Sequence, residues 1–169
     1  MERKFFIRDC LLQLFLIIFV IIIDQLVKLW ARTSLAEAPI VVWKNVFSFR
    51  LVYNTGASFG IFHNHTLLLT AFSVVGMLAI GFFYFILPKE KRMQPMRWIL
   101  AVIFAGGCGN IIDRIAFGKV TDMFSFDLIN FPVFNVADIG LTCGTIVMCL
   151  LWLFYYKDED FSRWKKSNS

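Results

Sequence analysis

The sequence predicts an all-α membrane protein: four transmembrane helices with a small β-containing extracytoplasmic element. Three observations lead to this class. Hydrophobic residues make up 59% of the 169 residues, whereas soluble domains hold about 45–50%. Four apolar stretches each come near the ~20 residues that a span across the bilayer needs. Lys and Arg gather before the first stretch, between the second and third, and after the fourth, which is typical of multi-pass membrane proteins.

The predicted spans and loops divide the whole chain. The spans cover approximately residues 10–29, 66–87, 98–115 and 139–156. Two longer loops, approximately residues 30–65 and 116–138, lie on the same side of the membrane as each other. Because the chain has the length of one domain, we expect a single integral membrane domain over residues 1–169.

The first span also has some features of a cleavable signal peptide. It follows a basic start, and Ala36-Glu37-Ala38 imitates a cleavage site. However, Pro39 follows that site directly, and the apolar stretch carries Asp24 and Lys28. We therefore expect this span to be retained.

The distribution of Lys and Arg predicts the orientation of the chain. Three precede the first span, four lie between the second and third, and four follow the fourth. The positive-inside rule then puts both termini in the cytoplasm. The net charge of +5 is thus mainly a topology signal, and no basic patch interleaved with aromatic residues predicts binding to nucleic acid.

Half of the acidic residues are predicted to gather at the outer side of the membrane. Asp24 falls in the outer part of the first span, and the other five lie at or beyond span ends; the set is Asp24, Glu37, Asp113, Asp122, Asp127 and Asp138. No acidic residue lies at mid-span, where a transporter often carries its charge. Carboxylates inside a membrane boundary are candidates for a functional site.

Asp24 and Lys28 are spaced four residues apart, so they share one face of the first helix. Two interpretations stay open for them. In the first, they form an internal ion pair or Lys28 extends towards the lipid headgroups. In the second, they contact substrate or a lipid headgroup, and the two interpretations are compatible.

The first outer loop contains a strand pattern. Residues 41–54 alternate in their second half, with Phe47, Phe49 and Leu51 on one side. Asn54-Thr55-Gly56 then predicts a turn or, equally, a loop that contacts substrate.

Metal and cofactor sites are not predicted. The four cysteines form no CxxC pair, and His63 and His65 have no third ligand nearby in the sequence. The small residues of "AGGCGN" instead favour close packing between helices.

Five motifs together carry a resemblance to a known family. They are "DQLVK" (24–28), "YNTGASFG" (53–60), "GNIIDR" (109–114), "VTDMF" (120–124) and "FNVADIG" (134–140). In this order they resemble the lipoprotein signal peptidases (signal peptidase II), the aspartyl peptidases of bacterial membranes. One departure is Met123, where the family usually has Phe.

The resemblance implies a reaction and the residues for it. Such an enzyme removes the signal peptide from a diacylglyceryl-modified prolipoprotein, cleaving just before the lipidated cysteine. Asp122 and Asp138 would be catalytic. Supporting or substrate-binding roles would fall on Asn54, Gly56, Asn110, Asp113, Arg114 and Asn135, with Asp24 and Lys28 beside them. We expect a monomer in the bacterial cytoplasmic membrane, in contact with membrane lipid.

The chemistry of such a pair is intelligible from the residues. Two close carboxylates cannot both ionise cheaply, so they share a proton. The ionised member accepts a proton from water while the protonated member polarises the scissile carbonyl, and no metal is needed. The helix dipole at the start of the fourth span favours Asp138 as the base.

Three alternatives stay open on the sequence alone. Asn135 with Asp138 three positions on resembles a helix cap. Asp113, Asp122 and Asp127 would serve as magnesium ligands in a metal-dependent lipid phosphotransferase. A small transporter or channel is the third alternative, although mid-span charge and internal repeats are lacking.

Overall fold

The fold is described by a computed structural model over residues 3–56, 66–129, 131–157 and 159–160. The helices are α1 Arg3–Ser34, α2 Thr66–Ile86, α3 Gln94–Phe117 and α4 Val136–Leu150, and α4 continues as a π-helical turn, Leu151–Tyr155. The strands are β1 Ile40–Trp43, β2 Phe47–Asn54 and β3 Val120–Phe126, with short 3-10 turns at Lys91–Met93 and Asp127–Ile129. His63 and His65 lie outside the described residues.

Four helices are long and apolar enough to cross a membrane within the described part of the chain, which confirms the predicted spans. The helices extend beyond the predicted boundaries, most clearly in α1, which starts at Arg3 and ends at Ser34. The reason is that hydropathy marks the thickness of the bilayer, whereas a helix continues into the polar zone wherever its backbone hydrogen bonds can form.

Helix α3 is the centre of the bundle, since it packs against α1, α2 and α4. Helix α2 buries none of its residues, and large apolar side chains such as Leu67 and Phe85 are 86% and 78% exposed. In a bilayer these side chains face lipid, so their exposure matches the predicted membrane protein. Close packing between α3 and α4 depends on Gly106, as the small residues of "AGGCGN" predicted.

The end of the bundle that lies away from the sheet has its own apolar core. Leu87, Met93, Met96, Leu100 and Tyr156 are buried there. Nearby, the buried guanidinium of Arg97 donates to the backbone carbonyls at the end of α2. These carbonyls have no partner within the helix, so the Arg97 side chain caps the C-terminal end of α2.

The three strands form an antiparallel sheet in the order β1-β2-β3. The turn between β1 and β2 contains Asn45 with φ 60°, a left-handed conformation that Asn tolerates better than most residues. The predicted strand over residues 41–54 is confirmed only in its second half, as β2, because residues 41–46 belong to β1 and the turn. A β-bulge between Phe49 and Val52 interrupts the alternation of β2. Strand β3 was not predicted, because its residues are buried on both faces and show no alternation.

The sheet is attached to α1 by a small apolar cluster. Met123 of β3 is fully buried and packs with Ala31 and Leu35 near the end of α1. The methionine that departs from the family pattern therefore fills a core position. A flexible side chain suits such a position, because it adapts to an irregular gap.

We predict that Gly106→Ala loosens the contact between α3 and α4. A Cβ at this position would lie 2.5 Å from the backbone oxygen of Ala137, and backbone cannot move away as a side chain can. We expect a loss of about 1–3 kcal/mol in stability, measured by thermal unfolding in detergent. Gly76→Ala is the matched control, because nothing lies within 4 Å of its added Cβ. Equal melting temperatures for the two variants would contradict the close packing.

Candidate functional site

A cluster of buried polar side chains lies where the sheet meets the ends of the helices. All its members are at most 6% exposed; they are Asp24, Lys28, Asn110, Asp113, Thr121, Asp122 and Asn135. Buried polar groups are costly unless they are hydrogen-bonded. Such a concentration of buried polar side chains at one end of a small bundle therefore indicates a functional site.

The start of α4 is organised by a capping box. The side-chain oxygen of Asn135 accepts from the backbone N–H of Asp138 at 3.0 Å. In return, Asp138 Oδ2 accepts from the backbone N–H of Asn135 at 3.1 Å. The predicted cap is confirmed, and it holds the Asp138 carboxylate at the positive end of the helix dipole.

The same asparagine connects the two aspartates. Its amide nitrogen donates to Asp122 Oδ1 at 2.6 Å and to Asn110 Oδ1 at 3.1 Å. The amide nitrogen of Asn110 donates in turn to Asp138 Oδ1 at 2.8 Å. Two amide side chains thus link the carboxylates of Asp122 and Asp138 through hydrogen bonds.

The chain reaches this arrangement because the segment after β3 turns back along the strand. The carbonyl of Phe134 accepts from the backbone N–H groups of Met123 and Phe124 at 3.0 and 2.9 Å. Phe134 therefore pairs beside β3. Asn135, the next residue, is brought against Asp122, although the two are 13 residues apart in the sequence.

Asp122 is almost completely buried, with 2% of its surface exposed. Burial and, after it, the negative charge of Asp138 raise the pKa of Asp122 to about 6. Hydrogen bonds from Asn135 and Asn54 offset part of that rise, the latter donating at 3.2 Å. The pKa of Asp122 is thus closer to neutral pH than that of an ordinary aspartate, so its carboxyl group can exchange a proton in that range.

Lys28 is the central cation beneath this pair of aspartates. Its fully buried ammonium lies 2.8 Å from Asp24 and 3.6 Å from Asp113. It also donates to Asn110 Oδ1 at 3.0 Å. The predicted internal ion pair between Asp24 and Lys28 is therefore confirmed, and the Lys28 side chain has no exposed surface.

Asp24 and Asp113 connect this charge to the rest of the site. Asp24 Oδ1 accepts from the backbone N–H of Ala137 at 2.9 Å, in the first turn of α4. Asp113 Oδ2 accepts from the backbone N–H of Thr121 at 2.8 Å, at the start of β3. The two carboxylates thus hold the segments that carry Asp138 and Asp122.

The turn at the end of β2 forms one side of the site. Asn54 Oδ1 accepts from the backbone N–H of Gly56 at 2.9 Å, which is an Asx turn. Arg114 donates to the carbonyl of Gly56 at 3.5 Å. The structure therefore brings together every residue that was predicted for the site; the rest of the predicted "YNTGASFG" motif, residues 57–60, lies outside the described residues.

Three residues in or beside this cluster were missed in the sequence analysis. They are Gln25, Arg32 and Thr121, which contact Asp113 directly. One signal pointed to Arg32: with Asp24 and Lys28 it forms a series spaced by four residues, and such residues share one helix face. Thr121 lies inside the motif "VTDMF", but no spacing in the sequence indicated its contacts with Arg32 and Asp113.

The three aspartates of the alternative magnesium site do not lie together in this structure. Asp127 follows the far end of β3, five residues from Asp122, or about 15 Å along a strand. It is paired there with Arg50, and Ser48 and Ser125 donate to it. Asp113 is occupied by Lys28 and Arg32. The three aspartates proposed as ligands therefore do not converge.

Comparison with known proteins gives a consistent result. Residues 16–154 match the family model described as signal peptidase (SPase) II. The chain is similar to the lipoprotein signal peptidase of Clostridium tetani, with 37% identity over 155 residues that cover 89% of this chain and 96% of the relative. It is also similar to the lipoprotein signal peptidase of Streptococcus pneumoniae, with 36% identity over 82% of this chain and 90% of the relative.

Solved structures share the fold. One is a bacterial membrane enzyme determined by the in meso method at 2.3 Å, with a TM-score of 0.75 and 27% identity, covering 86% of this chain and 92% of that one. A second, at 1.9 Å, gives a TM-score of 0.72 and 28% identity over 85% and 94% of the two chains.

We predict that the buried charges are interdependent. Lys28→Met leaves Asp24 and Asp113 without their shared ammonium, and breaking a buried pair in this way costs about 3–5 kcal/mol. The double variant Lys28→Met/Asp24→Asn removes both charges of the closest pair, and Asn keeps an oxygen for the N–H of Ala137. We expect the double variant to unfold at a higher temperature than Lys28→Met in detergent. Additive losses would argue against this coupling.

Proposed function

The chain belongs to the signal peptidase II family, and we propose that it is a metal-independent aspartyl endopeptidase. Membership makes it a bacterial multi-pass membrane protease that removes signal peptides from prolipoproteins. The proposal adds that the substrate is diacylglyceryl-modified and that cleavage occurs just before the lipidated cysteine. It also assigns the reaction to Asp122 and Asp138.

The observation that carries this assignment is the double contact of Asn135. One amide group donates to Asp122 Oδ1 at 2.6 Å, and the same residue caps the helix start that bears Asp138. Two carboxyl groups held by one residue in a buried setting favour a shared proton, since both cannot ionise cheaply. That is the protonation state that acid–base hydrolysis requires.

The surroundings favour different roles for the two aspartates. Asp138 accepts N–H bonds from Asn110 and Asn135 and lies at the N-terminus of α4, where negative charge is stabilised. Asp122 lies outside that helix, and its raised pKa favours the protonated form. We assign Asp138 as the base that activates water and Asp122 as the acid that polarises the peptide carbonyl.

The supporting residues act on this pair in three ways. Asn54 and Gly56 form a turn beside Asp122, to which the Asn54 amide donates, and we assign this turn to contact with an extended peptide. Arg114 donates to the carbonyl of Gly56 and interacts electrostatically with Asp122 and Asp138, so its positive charge can stabilise developing negative charge. Asn110 and Asn135 orient the carboxylates. Asp24 and Asp113, paired with Lys28, hold the backbone segments that carry Asp138 and Asp122.

The position in the membrane follows from the charge pattern. Lys89, Lys91 and Arg92 lie at the end of the bundle away from the sheet, so the positive-inside rule supports a cytoplasmic location for that end and for both termini. The sheet and the carboxylates are then at the outer face of the cytoplasmic membrane. A peptide bond next to a lipid-bearing cysteine is found at that depth. We propose that one chain, a single domain in contact with membrane lipid and with no nucleic-acid partner, performs the reaction.

We predict that Asp122→Asn and Asp138→Asn each abolish cleavage. Asn cannot exchange a proton as a carboxyl group does, so we expect loss of at least about 10²–10⁴-fold, the usual contribution of acid–base catalysis. The measurement is cleavage of a diacylglyceryl-modified prolipoprotein by the reconstituted enzyme, with a chelator present throughout.

The matched control is Asp127→Asn. This aspartate is also in the outer segment, but it bonds to Arg50 and two serines and not to the dyad. We expect it to cleave at close to the unsubstituted rate. Full activity of either dyad variant, or inhibition by the chelator, would sink the assignment.

We predict that cleavage is lost towards alkaline pH. The pKa of Asp122 is raised to about 6, so the acid form is present below that pH and disappears above it. The value of kcat/KM should therefore fall by up to about tenfold per pH unit above the apparent pKa of the pair. Asn54→Leu removes a hydrogen bond that favours the ionised form, so the falling limb should move to higher pH. A limb that moves to lower pH in this variant would contradict the role of Asp122.

A further inference from the structure

We propose that Arg32 is a positioning residue for Asp122, acting through Thr121. This inference rests on the proposed function, since it takes Asp122 to be catalytic. Arg32 lies in the last turn of α1. Its Nη1 donates to the hydroxyl of Thr121 at 2.9 Å, and Thr121 directly precedes Asp122 in β3.

Three separate contacts fix the guanidinium of Arg32. Besides the bond to Thr121, its Nη1 lies 3.8 Å from Asp113 Oδ1. Its Cζ also lies 4.6 Å from the ring centroid of Phe117, at the end of α3. Only 19% of the side chain is exposed. The planar group is therefore held by an anion, an aromatic face and a hydroxyl at once, which a flexible surface arginine is not.

Thr121 is consequently hydrogen-bonded to residues of two helices. Its backbone N–H donates to Asp113 Oδ2 of α3 at 2.8 Å, and its hydroxyl accepts from Arg32 of α1. Arg32 and Asp113 also attract each other, so the contacts close a ring around the residue. The ring fixes both the main chain and the side chain at this position.

The position matters because the strand is irregular immediately afterwards. The pairing of β2 with β3 shifts between Phe49 and Val52, and the N–H of Met123 bonds to Phe134 instead of β2. The pairing with β2 is therefore interrupted directly after Asp122 and resumes at Phe124. Because successive side chains of a strand point to opposite faces, holding Thr121 on one face aims Asp122 at Asn135 on the other.

The expected consequence is a loss of rate, not of substrate binding. A displacement of about 1 Å in a catalytic group costs on the order of 10²-fold in rate. Removing the hydrogen bond from Arg32 leaves the one to Asp113, so the loss of rate should be smaller than that. We expect Thr121→Val and Arg32→Met each to lower kcat by about tenfold. KM should stay within about twofold, because neither side chain belongs to the turn of Asn54 and Gly56 that we assign to substrate.

The experiment measures kcat and KM for prolipoprotein cleavage in both single variants, in the double variant, and in Thr121→Ser. Serine keeps the hydroxyl that accepts from Arg32, so it should retain the unsubstituted kcat. The double variant should be no slower than the slower single variant, because both changes remove the same interaction. Arg50→Met is the matched control: it removes an arginine from an ion pair with Asp127 and should leave kcat unchanged.

The outcomes separate this inference from the proposed function. If Asp122→Asn is inactive while Thr121→Val cleaves at the unsubstituted rate, the positioning role is wrong and the dyad stands. If Thr121→Ser is as slow as Thr121→Val, or if the two losses add in the double variant, the hydroxyl contact is not the cause and the positioning role is also wrong. If Asp122→Asn retains activity, the proposed function itself fails.

Discussion

The structure of the site depends on the buried ammonium of Lys28. A charge with no exposed surface must be surrounded by partners, since an unpaired ion in a low dielectric is very costly. An ammonium only donates hydrogen bonds, so it turns the oxygen of Asn110 towards itself. The amide nitrogen of Asn110 is then left to face Asp138. One cation deep in the bundle thus sets the direction of the hydrogen bonds that reach the proposed dyad.

A second constraint comes from Asn135, where helix capping and the proposed chemistry use the same atoms. Its oxygen caps α4, so its amide nitrogen is free to donate to Asp122 and Asn110. The cap and the catalytic pair are therefore not competing explanations of Asp138. The cap fixes the carboxylate in position, and the link through Asn135 gives it a partner 16 positions earlier in the chain.

The parts of this arrangement that depend on local spacing could be predicted from the sequence. Hydropathy gave the four spans, the interval of four residues gave the Asp24–Lys28 pair, and the interval of three gave the cap at Asn135. Long-range pairing could not be predicted in this way. Strand β3 is buried on both faces, so it lacks a period of two. The contact of Arg32 with Thr121 joins residues 89 positions apart, and no local pattern records it.

The small sheet is therefore more than an appendage to a helical bundle. Asp122 lies on β3, and its burial is the main cause of its raised pKa. The strand contacts β2, α1, α3 and the segment before α4. Met123 seals one side against Ala31 and Leu35, and Phe134 bonds along the other. If the sheet separated from α1, water would reach the carboxyl group and its pKa would return towards the ordinary value. The apolar attachment of the sheet thus controls the acidity of the proposed catalytic group, which links packing to chemistry in this fold.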